Sequence, residues 1–189
     1  MKFIRDASAR LAAAIRSGRS TLLLGPRQTG KSTLVKDVAA AFPRRLEFPL
    51  QLPSVRMRLE NDPEVVRREA EAIPGETPVL VFIDEVQKAP ATLDILQYLI
   101  DEKRVVLIAT GSSARKMRRQ AVNWLPGRIR LEHLYPLTWR ERGLTARSGE
   151  RALEEGLLYG SLPGILAEPE PARRSRPRGG GARPLSVRL

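Results

Sequence analysis

The sequence predicts an α/β fold, a three-layer α/β/α sandwich built around a mainly parallel sheet. Three short apolar runs, at 22–24, 79–83 and 105–109, have the composition of strands that are covered on both faces. Segments with helical spacing of apolar residues separate these runs, and strands that alternate with helices form parallel sheets. A glycine-rich loop at 25–32 joins the first run to a helix, which is the order of a phosphate-binding unit.

The elements before this loop are an amphipathic helix and the first strand. The helix is predicted over 7–16, because Leu11 and Ile15 lie four residues apart on one face and Gly18 follows the last turn. The apolar run at 22–24 then leads directly into the glycine-rich loop.

The loop reads Gly-Pro-Arg-Gln-Thr-Gly-Lys-Ser and matches the pattern G-x-x-x-x-G-K-[ST]. Its glycines let the backbone curl around an anion, and the helix that begins near Lys31 adds the positive end of its dipole. Lys31 would then reach the β- and γ-phosphates of a nucleotide, and the Ser32 hydroxyl would bind Mg²⁺. The alternative is a glycine-rich turn with an incidental lysine, and Arg27 is the least certain member because its side chain can face solvent or a partner. The predicted nucleotide-binding residues are Gly25, Pro26, Arg27, Gln28, Thr29, Gly30, Lys31, Ser32 and Thr33.

The segment after the loop continues the alternation of helices and strands. Apolar residues recur at helical spacing until Pro43 ends the helix. The run at 46–50 predicts an edge-side strand, because its proline has no N–H to donate to a central ladder. One or two helices are expected over 53–73, with Asp62 as a cap and Pro63 in the first helical position.

Two adjacent carboxylates, Asp84 and Glu85, follow the apolar run at 79–83. The carboxyl ends of parallel strands are where α/β sheets bind ligands, so Asp84 is predicted to hold Mg²⁺ through water. Glu85 lies where the chain leaves the strand and could orient a water for attack on the γ-phosphate. The alternative is a solvated Asp-Glu pair, which the intact loop makes the weaker interpretation.

Small polar residues follow the third apolar run. Ser112, and after it Thr110 and Ser113, are candidates to hydrogen-bond the γ-phosphate or the attacking water. The alternative is that this segment is only a turn and a helix cap. A helix at about 91–102 is expected before this strand.

Arg128 precedes or begins a predicted strand at 128–134 and is a candidate to stabilise charge in a transition state. A solvated basic side chain is an almost equally good interpretation. A last helix is predicted around residues 153–158, where three leucines occur at helical spacing.

The net charge of +12 suggests nucleic acid as a partner, but the arginines are unevenly distributed. Residues 172–189 contribute six arginines and no acidic residue, which is half of the net charge. The basic run at 115–119 could face phosphates, although such runs are more often a solvated helix face. The chain has no cysteine and no apolar run of transmembrane length, so the cytoplasm is the default location.

Five motifs occur in a fixed order along the chain, and together they are more specific than any one of them. They are Gly25-Pro-Arg-Gln-Thr-Gly-Lys-Ser-Thr, Phe82-Ile-Asp-Glu-Val-Gln, Thr110-Gly-Ser-Ser-Ala-Arg, Pro126-Gly-Arg and Leu134-Tyr-Pro-Leu-Thr. In this set the chain resembles a group of prokaryotic AAA-type ATPases, over about residues 2–166, that carry a C-terminal domain of unknown function.

The resemblance implies a P-loop NTPase fold with an AAA-type core that binds ATP and Mg²⁺. It implies that Lys31 and Ser32 contact phosphate and metal, that Asp84 is the Walker B carboxylate and that Glu85 is the hydrolytic glutamate. The polar segment after the third apolar run would be the sensor. The resemblance leaves open what these proteins act on, and we expect a protein partner and an assembly of identical chains as the first possibilities to test.

The predicted organisation is an AAA-type core over 1–145, the start of a C-terminal helical region over 146–167 and a disordered Arg/Pro/Gly-rich tail over 168–189. The abrupt change of composition in the tail suggests truncation before the C-terminal domain, and a frameshift would account for it. The leading functional prediction is an ATPase. The alternatives are an ATP-binding fragment without turnover, a nucleic-acid-associated ATPase, a small-molecule kinase and, least favoured because no Asn-Lys-x-Asp motif occurs, a GTPase.

Overall fold

The computed structural model describes residues 3–112, 125, 127–145 and 148–168. Two compact units divide the chain, one formed by Ile4–Pro136 and the other containing the residues from Leu137 onward. The first unit ends at Pro136. The predicted extents of the core, to residue 145, and of the helical region, to residue 167, stay predictions. The predicted basic run at 115–119 and the tail after residue 168 lie outside the described residues.

The first unit contains a sheet of five strands in the order β2-β3-β4-β1-β5, in which every neighbouring pair is parallel. The second strand lies at an edge, as its proline predicts. The sheet confirms the predicted α/β class. The strands are β1 Ser20–Leu24, β2 Arg45–Pro49, β3 Val79–Asp84, β4 Val105–Gly111 and β5 Ile129–His133.

Helices connect β1 to β2, β2 to β3 and β3 to β4, as parallel strands require. The helices described in the first unit are α1 Ala7–Arg16, α2 Lys31–Ala39, α3 Pro53–Asn61, α4 Val65–Ala72 and α5 Thr92–Asp101, with a 3₁₀ turn at Val86–Lys88. The second unit contains α6 Gly149–Tyr159 and α7 Pro163–Leu166.

The predicted helical stretch over 53–73 consists of two helices. The proline that begins a helix is Pro53, in the first turn of α3, and not Pro63. Helix α4 begins at Val65. The Asp62 carboxylate accepts a hydrogen bond from the Glu64 backbone N–H just before this helix, which is the contact that the predicted cap requires.

Side chains that alternate along β1 enter two different cores, which makes the structure three-layered. Leu22 and Leu24 pack with β3, β4 and the helices α3, α4 and α5, whereas Leu23 packs with α1 and α2. The first core includes Leu59, Val66, Val81, Ile83, Leu96, Leu107 and Ala109, and the second includes Leu11, Ile15, Leu34, Val35, Leu80, Phe82 and Ile108. The apolar runs at the centre of the sheet are therefore covered on both faces.

Truncating Leu96, which is fully buried on α5, should lower the stability of this unit. We expect Leu96→Ala to cost about 2–5 kcal/mol of unfolding free energy, because it removes apolar contact and leaves a cavity. Tyr98→Ala on the same helix, where the side chain is exposed, should cost less than about 0.5 kcal/mol. Urea denaturation followed by circular dichroism measures both, and equal losses would contradict the assigned core.

Within the described residues, no helix has the length and apolar character needed to span a membrane.

Candidate nucleotide-binding site

The candidate site lies at the carboxyl-terminal edge of the parallel sheet, where α/β folds bind ligands. Four strands contribute to this edge or lead into it. The glycine-rich loop follows β1, Gln51 follows β2 closely, Asp84 ends β3 and Thr110 lies near the end of β4. Parallel pairing brings these segments together although they are far apart in the chain.

The loop between β1 and α2 turns through two left-handed residues, Gln28 with φ 65° and Gly30 with φ 87°. Gly30 adopts this conformation without steric cost because it has no Cβ. Inside the loop, the Thr29 hydroxyl donates to the carbonyl of Pro26 at 2.9 Å and Thr29 is fully buried. Helix α2 begins directly afterwards at Lys31, so its first N–H groups and its positive dipole end lie at the loop.

Lys31 lies folded over the loop that precedes it. Its Nζ donates to the carbonyl oxygens of Gly25 and Pro26, each at 2.8 Å, and only 6% of the residue is exposed. Burial lowers the pKa of Lys31, and the charges of Glu85 and Asp84 oppose that shift. Among the described residues, none forms an ion pair with this buried ammonium, and an anion in the loop would supply a countercharge.

Asp84 accepts hydrogen bonds from three neutral side chains. Ser32 Oγ lies 2.8 Å from both carboxylate oxygens, and Gln51 Nε2 donates to Oδ2 at 2.8 Å. The Thr110 hydroxyl donates to Oδ1. Asp84 is 4% exposed, so these donors compensate for the water that the carboxylate loses on burial.

The pair formed by Ser32 and Asp84 fits Mg²⁺. It presents a hydroxyl oxygen beside carboxylate oxygens at the first turn of α2, and hard oxygen ligands are what Mg²⁺ binds. Mg²⁺ usually takes few protein ligands and completes its shell with water and phosphate oxygens. A small donor set next to a phosphate-binding loop is therefore the appropriate one.

Glu85 leaves β3 in a left-handed conformation, with φ 60° and ψ 50°. Such a conformation is uncommon for a residue other than glycine and directs the chain sharply out of the strand. The backbone N–H of Glu85 donates to Thr110 Oγ1 at 3.0 Å, so the threonine that binds Asp84 also holds this turn. The Glu85 carboxylate accepts a hydrogen bond from Gln87 Nε2.

A cavity of about 440 Å³ lies over the loop, which is within the usual range for small-molecule sites. Glu85 lines this cavity together with residues of the loop and of the start of α2. Its described lining residues are Arg27, Gln28, Gly30, Lys31, Ser32, Thr33, Gln51, Glu85 and Lys88.

Thr110, the second of the sensor candidates, contacts the carboxylate pair: its hydroxyl donates to Asp84 and accepts from the Glu85 N–H. Neither Thr110 nor Ser112 is among the described residues that line the cavity, and the sensor role of Ser112 stays a prediction. The register explains the contact of Thr110 with Asp84, because Ile83 pairs with Ala109 and the next residue of each strand is Asp84 and Thr110. Ser113, the third candidate, lies outside the described residues.

Arg128 is not brought to the site within one chain. It directly precedes β5, whose first residue pairs with Ser20 at the start of β1, so it lies at the sheet edge opposite the loop. Its Nε lies 2.6 Å from Asp101 Oδ1 at the end of α5. Because β5 runs parallel to β1, a residue before β5 cannot share the edge that follows β1.

Three residues that contribute to the site were not predicted from the sequence. Gln51 and Arg5 carry no motif, although Gln51 follows an edge strand at the ligand-binding edge of the sheet. Arg5 is 8% exposed and donates to the carbonyl of Thr29 at 2.6 Å and to that of Tyr135 at 2.7 Å. Lys88, three residues after Glu85, also lines the cavity. No local pattern in the sequence identifies the contacts of Gln51 and Arg5.

The end of β5 approaches the start of the loop closely. The Leu134 N–H donates to the carbonyl of Leu24 at 2.7 Å, and a Cβ added to Gly25 would lie 2.1 Å from the Leu134 carbonyl oxygen. Gly25 is therefore needed for close backbone approach as well as for the curvature of the loop.

Replacing Gly25 with alanine should destabilise the fold by about 1–3 kcal/mol, because the added methyl group overlaps backbone that cannot rotate away. The control is Gly164→Ala, where a Cβ meets nothing within 4 Å. Chemical denaturation of the two variants measures the difference. A Gly25→Ala protein as stable as the control would show that Leu134 is not held against the loop.

The chain is similar to a known domain family and to two proteins of mycobacteria. A family model described as an AAA domain matches residues 17–143. Uncharacterized proteins of Mycobacterium tuberculosis and Mycobacterium bovis are 34% identical over 144 residues, which is 75% of this chain. The chain spans 31% of the length of these two relatives.

Solved structures share the fold at low sequence identity. A Walker-type ATPase of Pyrococcus abyssi matches with a TM-score of 0.59 and 18% identity, over 87% of this chain and 65% of that one. The ORC1 protein of Aeropyrum pernix, in complex with DNA, matches with a TM-score of 0.52 and 16% identity, over 76% of this chain and 48% of that one. With a matched family model over two thirds of its length and this P-loop fold, the chain belongs to the family of AAA domains.

Proposed function

We propose that the protein is a Mg²⁺-dependent ATPase whose nucleotide lies against the loop between β1 and α2. The observation that carries the proposal is the convergence of Lys31, Ser32, Asp84 and Glu85 at one sheet edge. The loop would hold a phosphate chain, the Ser32 and Asp84 oxygens would hold the cation, and Glu85 supplies the carboxylate that hydrolysis needs.

Binding would rely on the backbone and on one ammonium group. N–H groups of the loop and of the first turn of α2 would donate to phosphate oxygens, as they do at other helix N-termini. Lys31 would exchange its two loop carbonyl partners for phosphate oxygens. Bound Mg²⁺ would neutralise phosphate charge, and the residues of this chain that would hold it are Ser32 and Asp84.

The chemical step that we propose for Glu85 is general-base catalysis. The carboxylate would accept a proton from a water molecule as the water oxygen forms a bond to the γ-phosphorus and the bond to the ADP oxygen breaks. Thr110 would transmit the state of the site, because its hydroxyl contacts both Asp84 and the Glu85 N–H. Such a link would couple hydrolysis to a conformational change that acts on a protein partner.

We propose that the site prefers ATP to GTP, because the chain belongs to the AAA family and because of one feature of its sequence. The chain contains no Asn-Lys-x-Asp segment, the motif with which GTPases read guanine. Competition between unlabelled ATP and GTP for a fluorescent ATP analogue measures the preference directly.

The test of this function is Mg²⁺-dependent release of phosphate from ATP by the purified full chain, measured beside ATP affinity. Saturable binding with phosphate release supports the proposal. Saturable binding without release would instead support an ATP-binding module that has no turnover by itself. Transfer of phosphate to a metabolite, with no free phosphate, would indicate a kinase.

Association with nucleic acid is a second candidate. The A. pernix structure with the same fold was solved in complex with DNA, and this chain carries a net charge of +12. Anisotropy of a labelled DNA duplex, titrated with the full chain at two salt concentrations, tests it. Affinity that falls steeply with salt indicates phosphate contacts, and absence of binding at low salt would end this proposal.

A further inference from the structure

Gln87 lies two residues after Glu85, and its side chain turns back to the Glu85 carboxylate. Glu85 ends the strand in a left-handed conformation, and the 3₁₀ turn Val86–Lys88 follows at once. The Lys88 N–H donates to the Glu85 carbonyl at 2.9 Å and closes this turn. The turn places the Gln87 amide beside Glu85, where Nε2 donates to Oε2.

The carboxylate determines which end of the amide faces it. An ionised carboxylate only accepts hydrogen bonds, so it requires the NH₂ group and excludes the carbonyl oxygen. Gln87 Oε1 is left fully buried, and within the described parts of the chain it has no hydrogen-bond partner. A buried acceptor without a partner costs free energy, so this atom needs an explanation.

The contact with Glu85 explains why the amide keeps this orientation. Oε1 has almost no surface that water can reach, so the restraint on the carboxylate acts through Nε2, which donates to Glu85 Oε2 and limits its rotation.

We propose that Gln87 is a positioning residue for Glu85 in ATP hydrolysis. This inference rests on the proposed function, because it assigns Gln87 to the reaction of the same site. Gln87 is not among the described residues that line the nucleotide cavity, so its effect should fall on turnover and not on ATP affinity.

The first test is the isosteric variant Gln87→Glu, which keeps the shape of the side chain and removes its donor. We expect kcat to fall about 10- to 100-fold, part of the 10²–10⁴ that general-base catalysis contributes. The Kd for ATP should change by less than about twofold, because no phosphate contact is altered. Gln97→Glu makes the same chemical change on α5, away from the cavity, and should leave both values unchanged.

The second test does not depend on turnover. Gln87→Glu places two carboxylates together and should lower Tm by roughly 2–4 °C relative to Gln97→Glu. The double variant Glu85→Gln with Gln87→Glu restores an amide–carboxylate pair with its members exchanged. It should recover the lost Tm and remain inactive, because the carboxylate now lies at position 87.

The outcomes separate this inference from the proposed function. If Gln87→Glu hydrolyses ATP at the wild-type rate and Glu85→Gln is inactive, only the role of Gln87 is overturned. If the wild type releases no phosphate, the proposed ATPase function fails. If the double variant also does not regain the Tm that Gln87→Glu loses, the pairing of Gln87 with Glu85 is overturned as well. Reduced kcat, unchanged Kd and recovered Tm together support the proposal.

Discussion

Replacing Glu85 with glutamine should stop ATP hydrolysis while ATP still binds. The amide keeps the size of the side chain and its place on the cavity wall, but it cannot accept the proton that an attacking water must lose. We expect kcat to fall about 10²–10⁴-fold and the Kd for ATP to stay within about threefold of the wild type. Phosphate release under saturating ATP, measured beside equilibrium binding, separates the two quantities.

The control for this variant is Glu102→Gln, which makes the same substitution at an exposed position after α5. It should hydrolyse ATP at the wild-type rate. A fully active Glu85→Gln protein would remove Glu85 from the reaction. Loss of ATP binding in the same variant would mean instead that the carboxylate shapes the site before any chemistry occurs.

Replacing Lys31 with alanine should weaken ATP binding strongly. The side chain is the ammonium group that reaches the loop, and a hydrogen bond to a charged group contributes about 1.5–3 kcal/mol. We therefore expect the Kd for ATP to rise by about 10- to 150-fold, since each 1.4 kcal/mol corresponds to a factor of ten. Titration calorimetry or a fluorescent ATP analogue measures this change.

Lys36→Ala is the matched control, because Lys36 lies on the same helix with an exposed side chain. Its Kd for ATP should equal that of the wild type. Circular dichroism must show that Lys31→Ala folds, since this variant also loses the hydrogen bonds to the carbonyls of Gly25 and Pro26. A folded Lys31→Ala protein with unchanged ATP affinity would contradict the assignment of the loop as the phosphate site.

Much of the fold followed from local patterns. Helix α1 has the predicted bounds, and β1, β3 and β4 coincide with the three apolar runs, because strands covered on both faces contain few polar residues. The edge position of β2 followed from its proline. Asp62 accepts a hydrogen bond from the Glu64 backbone N–H ahead of α4, as a cap does, although the helix itself begins three residues later at Val65.

The site could be predicted only in part. The roles assigned to Lys31, Ser32, Asp84 and Glu85 remain predictions, but their juxtaposition is what their motifs imply. The sensor role of Ser112 also remains a prediction, and sequence order did not reveal that Thr110 is the residue of β4 beside Asp84. Arg128 was proposed without knowledge of the direction of β5, and that direction places it at the other edge of the sheet.

The sequence by itself determined the strand–loop–helix order, the carboxylate pair after a buried strand and therefore the fold class. These features depend on neighbours within a few residues, whose spacing sets backbone conformation and burial. Only the tertiary structure decided that Thr110 joins Asp84 to Glu85, that Gln51 reaches Asp84 from β2 and that Arg5 holds the loop. These contacts join residues 24 to 33 positions apart, and strand register and chain direction, which no local pattern encodes, bring them together.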